Sequence, residues 1–396
     1  MSADRFQFLE FGEEAADGDA PREDAPGLVP RDIGFDHLAD GTALAEVRIE
    51  NAHGYAMPDE DDEGVETLSS RAAFDRSAPD GGVPTRLRPA EVLGERGAGA
   101  GQFQYPAGLA VDGGGVLFVC DSYGHRVQRI TPGGGVAVIG GRGTGRGQFL
   151  SPSGVAVDDE DAFYVVERGG QRIQKFSREG VLSLVFGRPG RGEGELSGPT
   201  AIAIAPGGGI FVADTGNSRV QRFDGEGRFV GAVGGLGLIG GGLGSPQALA
   251  VQPGGGLYVA ETSARRVTVF DPLGRPERQI GGGGAGRRAH GGEPPVSLLQ
   301  PRALALDPAG LLYVADAGEP DPITGETRGR VLCLSLADGR VLATLERLGR
   351  SLGALLRPGG LAVGPVPAAN GHGAAARRDL YVADTMNHRI LRFVWT

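Results

Sequence analysis

The chain has 396 residues, 40% of them hydrophobic, and a formal net charge of −10. That length and apolar content suffice for a large buried core, and 72 glycines point to strands joined by tight turns rather than to long helices. No run of 18 apolar residues occurs and no apolar stretch follows a basic start, so the sequence predicts neither a membrane span nor a signal peptide, and the expected location is cytoplasmic.

Residues 1–88 hold 21 Asp and Glu against 8 Arg, a net −13, whereas residues 89–396 are close to balanced at +3. The leading segment, with its acidic run at residues 59–63, is expected to be a mostly disordered extension. Two less polar patches interrupt it. Phe6, Phe8, Leu9 and Phe11 suit either a loose flap or a docking peptide, and residues 42–49 suit a strand. A further apolar strip, residues 90–94, stands alone just before the main pattern begins.

From there a phrase of about 25 residues returns six times. Its leading prolines are Pro106, Pro152, Pro199, Pro246, Pro301 and Pro358. Each copy runs through an apolar strand and a turn into a second strand that ends in an acid: Asp121, Glu167, Asp214, Glu261, Asp316 and Asp384. An arginine follows five residues later in all copies but the fifth, where an insertion over residues 317–329 postpones it to Arg330. The sixth copy carries an insertion over residues 364–378. A fourth apolar run fills each period, and four strands in about 40–50 residues is the size of one propeller blade. The last copy stops after its third strand, so the strip at residues 90–94 is expected to supply the missing fourth and close the ring. Leucines spaced through residues 342–355 also suit a helix, but the register assigns that place to a strand and then a loop.

The wording of these copies, above all Pro199 to Phe223 and the run Asp384, Thr385, Met386, Asn387, His388, Arg389, Ile390, resembles the NHL-repeat family of six-bladed β-propellers. The resemblance covers residues 89–396 and implies an all-β, six-bladed propeller of four-stranded blades closed by an N-terminal strand, preceded by the extension at residues 1–88. The tryptophan–aspartate signature of WD40 propellers is missing, since Trp395 is the sole tryptophan.

In such a ring the links between blades and the turns between strands two and three share one face, here called the linker face. Its links carry Arg96, Arg142, Arg146, Arg188, Arg191 and Arg357, while the opposite face collects Asp112, Asp158, Asp224, Asp271, Asp307 and Asp338. A dipolar ring is the expectation, with a basic mouth that concentrates anionic partners, set against the plainer reading of dispersed, solvated arginines. The candidate ligand-binding residues are Arg142, Arg146, Arg188 and Arg191 on the links, and Gln247 and Arg302 in the slots just after the repeat proline.

The acid-to-arginine pairing recurs too often for catalysis and reads as structural. Enzymes do occur on related propellers. The peptidyl-hydroxyglycine lyase, as the resemblance implies, takes zinc-binding histidines from the slots after the proline, but here those slots hold Ala107, Ser153, Thr200, Gln247, Arg302 and Gly359. A gluconolactonase-like site wants carboxylates and an Asn in the channel, where these inner strands are small and apolar. The glycine-rich strings do not open a helix after a strand, so a nucleotide fingerprint fails in context. Cys120 and Cys333 sit inside apolar strands and read as small buried thiols. No cofactor or metal is expected. The sequence leans towards a noncatalytic scaffold that engages a protein or peptide, with intramolecular contact to the acidic segment as one form of it. RNA, through Phe103, Tyr105, Tyr123 and Phe149 beside the arginines, is the rival partner, and a propeller enzyme the rival class.

Overall fold

The computed structural model describes residues 36–37, 43–47, 87–234, 242–282, 296–319, 329–346, 355–365 and 378–395. Most of the predicted acidic extension, the patch from Phe6 to Phe11 and most of both insertions lie outside the described residues. Contacts divide the chain into Met1–Gly34 and Phe35–Thr396, and all that follows concerns the second unit.

Six four-stranded antiparallel blades follow one another. Blade one is Pro106–Val111, Leu117–Asp121, Arg126–Ile130 and Val136–Ile139. Blade two is Pro152–Val157, Phe163–Glu167, Arg172–Phe176 and Leu182–Phe186, and blade three is Ala201–Ile204, Ile210–Asp214, Arg219–Phe223 and Phe229–Gly234. Blade four is Pro246–Val251, Leu257–Glu261, Arg266–Phe270 and Pro276–Gly281, and blade five is Pro301–Asp307, Leu311–Asp316, Arg330–Ser335 and Val341–Glu346. Blade six takes Pro358–Pro365, Arg378–Asp384 and Arg389–Trp395 from the C-terminus and Leu87–Leu93 from the N-terminal side.

Blades stack face to face, so their second strands have no solvent side. Leu117–Asp121, Phe163–Glu167 and Leu257–Glu261 are buried at every residue, and for that reason they read as unbroken apolar runs rather than alternating ones. One apolar cluster fills each gap between consecutive blades, six in all. Between blades one and two, Phe118, Phe149, Phe163 and Phe176 make an aromatic core, with Phe163 and Phe176 stacked at 5.0 Å. Inner strands of adjacent blades touch all round the ring, the last against the first. A side chain on Gly360 would sit 1.9 Å from the Ala107 carbonyl oxygen, and one on Gly108 would sit 2.6 Å from the Gly154 Cα. Glycine alone allows blades six, one and two to approach this closely.

The closing strand forms where the repeats demand it and starts slightly earlier, at Leu87. Its pairing with the last strand runs from Leu93 opposite Ile390 to Leu87 opposite Trp395. Arg392 bonds Glu91 at 2.8 Å and Asp379 at 2.7 Å, and the Trp395 indole N–H donates to the Tyr313 hydroxyl at 2.8 Å. Within residues 42–49, Ala43–Val47 is a strand. It pairs with Asp36–His37 and also adds to the outer strand of blade one, with Ala45 opposite Val138. The first part of the leucine stripe of blade five is the expected strand, Val341–Glu346; Leu348, Leu352 and the expected loop lie outside the described residues, and Leu355 is buried between blades five and six.

Candidate functional site at the linker-face mouth

The acid-to-arginine pairs form in all six blades, at 2.8 Å for Asp121 and Arg126, 2.6 Å for Glu167 and Arg172, 2.7 Å for Asp214 and Arg219, 2.7 Å for Glu261 and Arg266, 2.9 Å for Asp316 and Arg330, and 2.9 Å for Asp384 and Arg389. Each carboxylate is fully buried. Its second oxygen accepts a backbone N–H of the link entering its own blade, as Gln104 donates to Asp121 at 2.6 Å and Ser197 to Asp214 at 2.7 Å. The arginines cap carbonyls of the same links: Arg172 donates to Thr144, Gly145 and Gln148. In blades one to three a buried glutamine completes the clasp. Gln221, for example, donates to the Glu195 carbonyl at 2.6 Å and to Asp214 at 3.0 Å, and accepts from the Gly194 N–H at 2.9 Å. These groups are saturated, so the pairs are structural, as the repetition implied. Environment still tunes them. Burial pushes the Asp384 carboxyl up against its hydrogen bonds, whereas at Glu261 the Arg266, Thr268 and Gly244 donors outweigh burial and hold the carboxyl low.

Next to the clasp, in blades one, three, four and six, a hydroxyl ties one blade to the next. Ser122 donates to the Pro152 carbonyl at 2.6 Å, Thr215 to Pro246 at 2.6 Å, Thr262 to Pro301 at 2.6 Å and Thr385 to Pro106 at 2.8 Å. Blade two has no hydroxyl there; the equivalent position is Arg168, and Ser153 makes the bond to Pro199 instead, at 3.1 Å.

Most inner strands open with a register shift just after the repeat proline, as between Pro152 and Gly154, Pro246 and Ala248, Pro301 and Ala303, and Pro358 and Gly360. The bulged residue is left out of the ladder, and a bulge re-aims its side chain. Ser153, Gln247, Arg302 and Gly359 are therefore the bulged residues at the mouth of the inner-strand ring. Thr200, in the same slot of blade three, is buried and bonded to Thr215 at 2.7 Å.

Arg302 is half-buried. Among the described residues its side chain donates once, to the neutral Gln300 amide oxygen at 3.3 Å, and its buried Nε has no partner. Burial, then the charges of Arg357 on the next blade and Arg168 on blade two, push its pKa down to about 10. The guanidinium is still protonated at neutral pH. Arg168 and Arg357 are exposed, and among the described residues no acid pairs with any of the three.

Of the sequence-predicted residues, Arg302 and Gln247 stand at this mouth, and Gln247 donates to Ser245 at 3.4 Å. Arg142 and Arg146 are exposed on the link from blade one to two, and Arg191 on the link from two to three. Arg188 differs, being bonded to Glu195 at 3.0 Å. Arg168 escaped sequence reasoning, although its signal was present: it is an arginine in a place that Ser or Thr holds in four other blades. Phe103 and Phe149, expected as stacking surfaces, are wholly buried in the core, because each packs where its link folds back beneath a glycine turn. Tyr123 is 67% exposed and lies 4.7 Å from Tyr105. His125 and His388 accept backbone N–H bonds through Nδ1, from Ser151 at 3.0 Å and Tyr105 at 3.1 Å. On the opposite face the aspartates cap their own turns, as Asp112 does for Gly114 and Val116 and Asp271 for Leu273 and Arg275. Among the described residues no three His, Cys, Asp or Glu side chains are placed to hold a metal ion, and no helix is long and apolar enough to cross a membrane.

Comparison with known proteins agrees with this architecture. Residues 103–130, 149–176 and 196–223 match the NHL repeat, and these are the three blades with the clasp glutamine. Curated proteins give no match. Similar solved structures include a Bacteroides thetaiotaomicron protein of unknown function (16% identity, 78% of this chain and 75% of that one, TM-score 0.55). Another is a gluconolactonase from Xanthomonas campestris (18% identity, 75% and 88% covered, TM-score 0.53). A third is virginiamycin B lyase from Staphylococcus aureus (12% identity, 78% and 99% covered, TM-score 0.50). At such identities the likeness concerns the fold. By its ring of six four-stranded blades and its three matched segments, the chain is a six-bladed β-propeller carrying NHL repeats.

Proposed function

We propose that the propeller is a noncatalytic binding module that takes an acidic protein or peptide partner on its linker face. The observation that carries this reading is the set of arginines without acidic partners at the inner-strand mouth, with Arg142, Arg146 and Arg191 exposed on the links of the same face. Rigid blades hold these side chains on short loops, a design suited to recognition. The six second-strand carboxylates are consumed by the clasps, Asp112 and Asp307 by turn caps, Asp379 by Arg392, and His125 and His388 by backbone bonds, which supports binding over catalysis. Two buried, unpaired cysteines fit a reducing, cytoplasmic setting.

A polyglutamate peptide is the test ligand. Its affinity for the full chain falls as salt rises from about 50 to about 300 mM, and it drops further when Arg142, Arg146 and Arg191 are all changed to serine. Salt-independent affinity, or no binding at all, overturns the reading.

RNA is the second reading, favoured by the exposed Tyr123 ring against Tyr105. Filter binding of single-stranded RNA that collapses in Tyr123→Ala, with polyglutamate unbound, would select it.

A further inference from the structure

Repeats supply an internal control: six equivalent positions show what the fold needs, and departures show what it does not need. After the blade acid, four blades place Ser122, Thr215, Thr262 or Thr385, each bonded to the next blade, and blade two places Arg168. After the repeat proline the slots hold Ala107, Ser153, Thr200, Gln247 and Gly359, and blade five places Arg302. Before the proline, Tyr105, Ser151 and Ser245 share a left-handed backbone, and blade six places Arg357 in that conformation at φ 58°. Blade five has Ala317 in the first of these slots, and each of the three slots holds an arginine once, on blades two, five and six, at the linker-face mouth of the inner-strand ring. Arg168 cannot make the hydroxyl bond of its slot, and none of the three meets an acid among the described residues.

We infer that these three arginines form a carboxylate site, with Arg302 as its half-buried floor and Arg168 and Arg357 as its exposed rim, for a ligand bearing two or more carboxylates. A desolvated cation with an orphaned Nε is costly to keep. A carboxylate set between converging guanidiniums offsets that cost, because charge-assisted bonds are strongest where water is thin. Three positive charges at one mouth call for more than one negative charge. The planar guanidinium fork matches carboxylate geometry. This inference rests on the linker face being the binding surface proposed above and names the chemistry at its centre. The carboxylates can come from a free polycarboxylate or from an acidic peptide, and both present the same group to the same fork.

The experiment is calorimetric titration of the full chain with citrate and, separately, with a blocked pentaglutamate peptide. Each arginine is replaced by the residue another blade uses in its slot, Arg302→Gln, Arg168→Thr and Arg357→Ser, so that the fold is kept. Wild type binds citrate one to one. Arg302→Gln weakens it at least tenfold, the triple variant abolishes it, and Arg275→Ser, in a turn of the opposite face, leaves it unchanged. Peptide binding with citrate silent assigns the site to an acidic segment, provided the triple variant loses the peptide. Citrate binding with the peptide silent assigns it to a free acid and overturns the protein-partner reading alone. If neither ligand depends on the three arginines while the peptide still depends on Arg142, Arg146 and Arg191, the carboxylate site falls and the binding face stands. If nothing binds, both fall.

Discussion

The Thr385 hydroxyl donates to the Pro106 carbonyl across the seam between the last blade and the first, at 2.8 Å. The same bond joins Thr215 to Pro246 and Thr262 to Pro301 within the continuous chain. At this level the seam is built like the junctions after blades one, three and four. What distinguishes it is that blade six is shared between Leu87–Leu93 and the C-terminal strands.

Closure therefore carries a measurable cost when broken. Deleting residues 87–93 leaves Arg389–Trp395 as an unpaired edge and is expected to lower the chemical denaturation midpoint and promote aggregation. Thr385→Val, which removes one bond and leaves the Pro106 carbonyl unsatisfied, costs about 1 kcal/mol. An unchanged midpoint in the deletion variant would show that the ring does not depend on its closing strand.

The clasp and the exposed ion pairs separate cleanly by burial. Asp214 is fully buried and Arg219 is its partner at 2.7 Å, so Arg219→Ala strands a buried charge and costs about 3–5 kcal/mol. Arg188, 76% exposed beside Glu195, is solvated and screened, and Arg188→Ala leaves the midpoint where it was. Urea melts of the two variants side by side check both outcomes.

Acid sensitivity follows from His125 and His388. Burial, together with Arg142 for His125 and Arg96 for His388, lowers both pKa values from 6.5, and each Nδ1 must be unprotonated to accept its backbone bond. A lowered folded pKa means that the unfolded chain binds more protons just below pH 6.5. The contribution is thus intact above pH 6.5 and is lost as pH falls through the lowered folded values. Asn tolerates the left-handed backbone found at φ 54° and 56° and keeps an acceptor without titrating. His125→Asn with His388→Asn should flatten the stability curve below pH 6.5; superimposed curves would refute the assignment.

Both cysteines should be silent in the native protein. Burial and then the Asp121 charge push the Cys120 thiol far above its ordinary range, and burial pushes Cys333 up to about 12. A thiol-reactive chromophore should label neither residue before unfolding and both afterwards. Labelling of the folded chain would place a thiol at the surface.

Much of this was legible in the residues. The prolines marked where inner strands begin, the terminal acids marked where second strands end, and residues 90–94 announced the closing strand. The clasps could be recognised as structural from Asp214 and Arg219 alone because they recur. Phe103 and Phe149 could not be separated from Tyr105 and Tyr123, since whether a link aromatic turns inward depends on the path of its glycine loop. Arg168 stands out only by comparison with Ser122, Thr215, Thr262 and Thr385, and its distance in sequence from Arg302 and Arg357 hides that all three belong to the same mouth.

Periodicity is a one-dimensional property, so the sequence alone determined blade number, strand order, the closing strand and the acid-to-arginine pairing. Convergence is not periodic. Ring closure brings together residues from blades two, five and six, and only then does it emerge that Arg302 is half-buried with an orphaned Nε and that Arg168 and Arg357 bear on it. The physical reason is that pairing within a blade is set by neighbours in the chain, whereas the charge at the mouth is a sum over blades that meet only after the ring is shut.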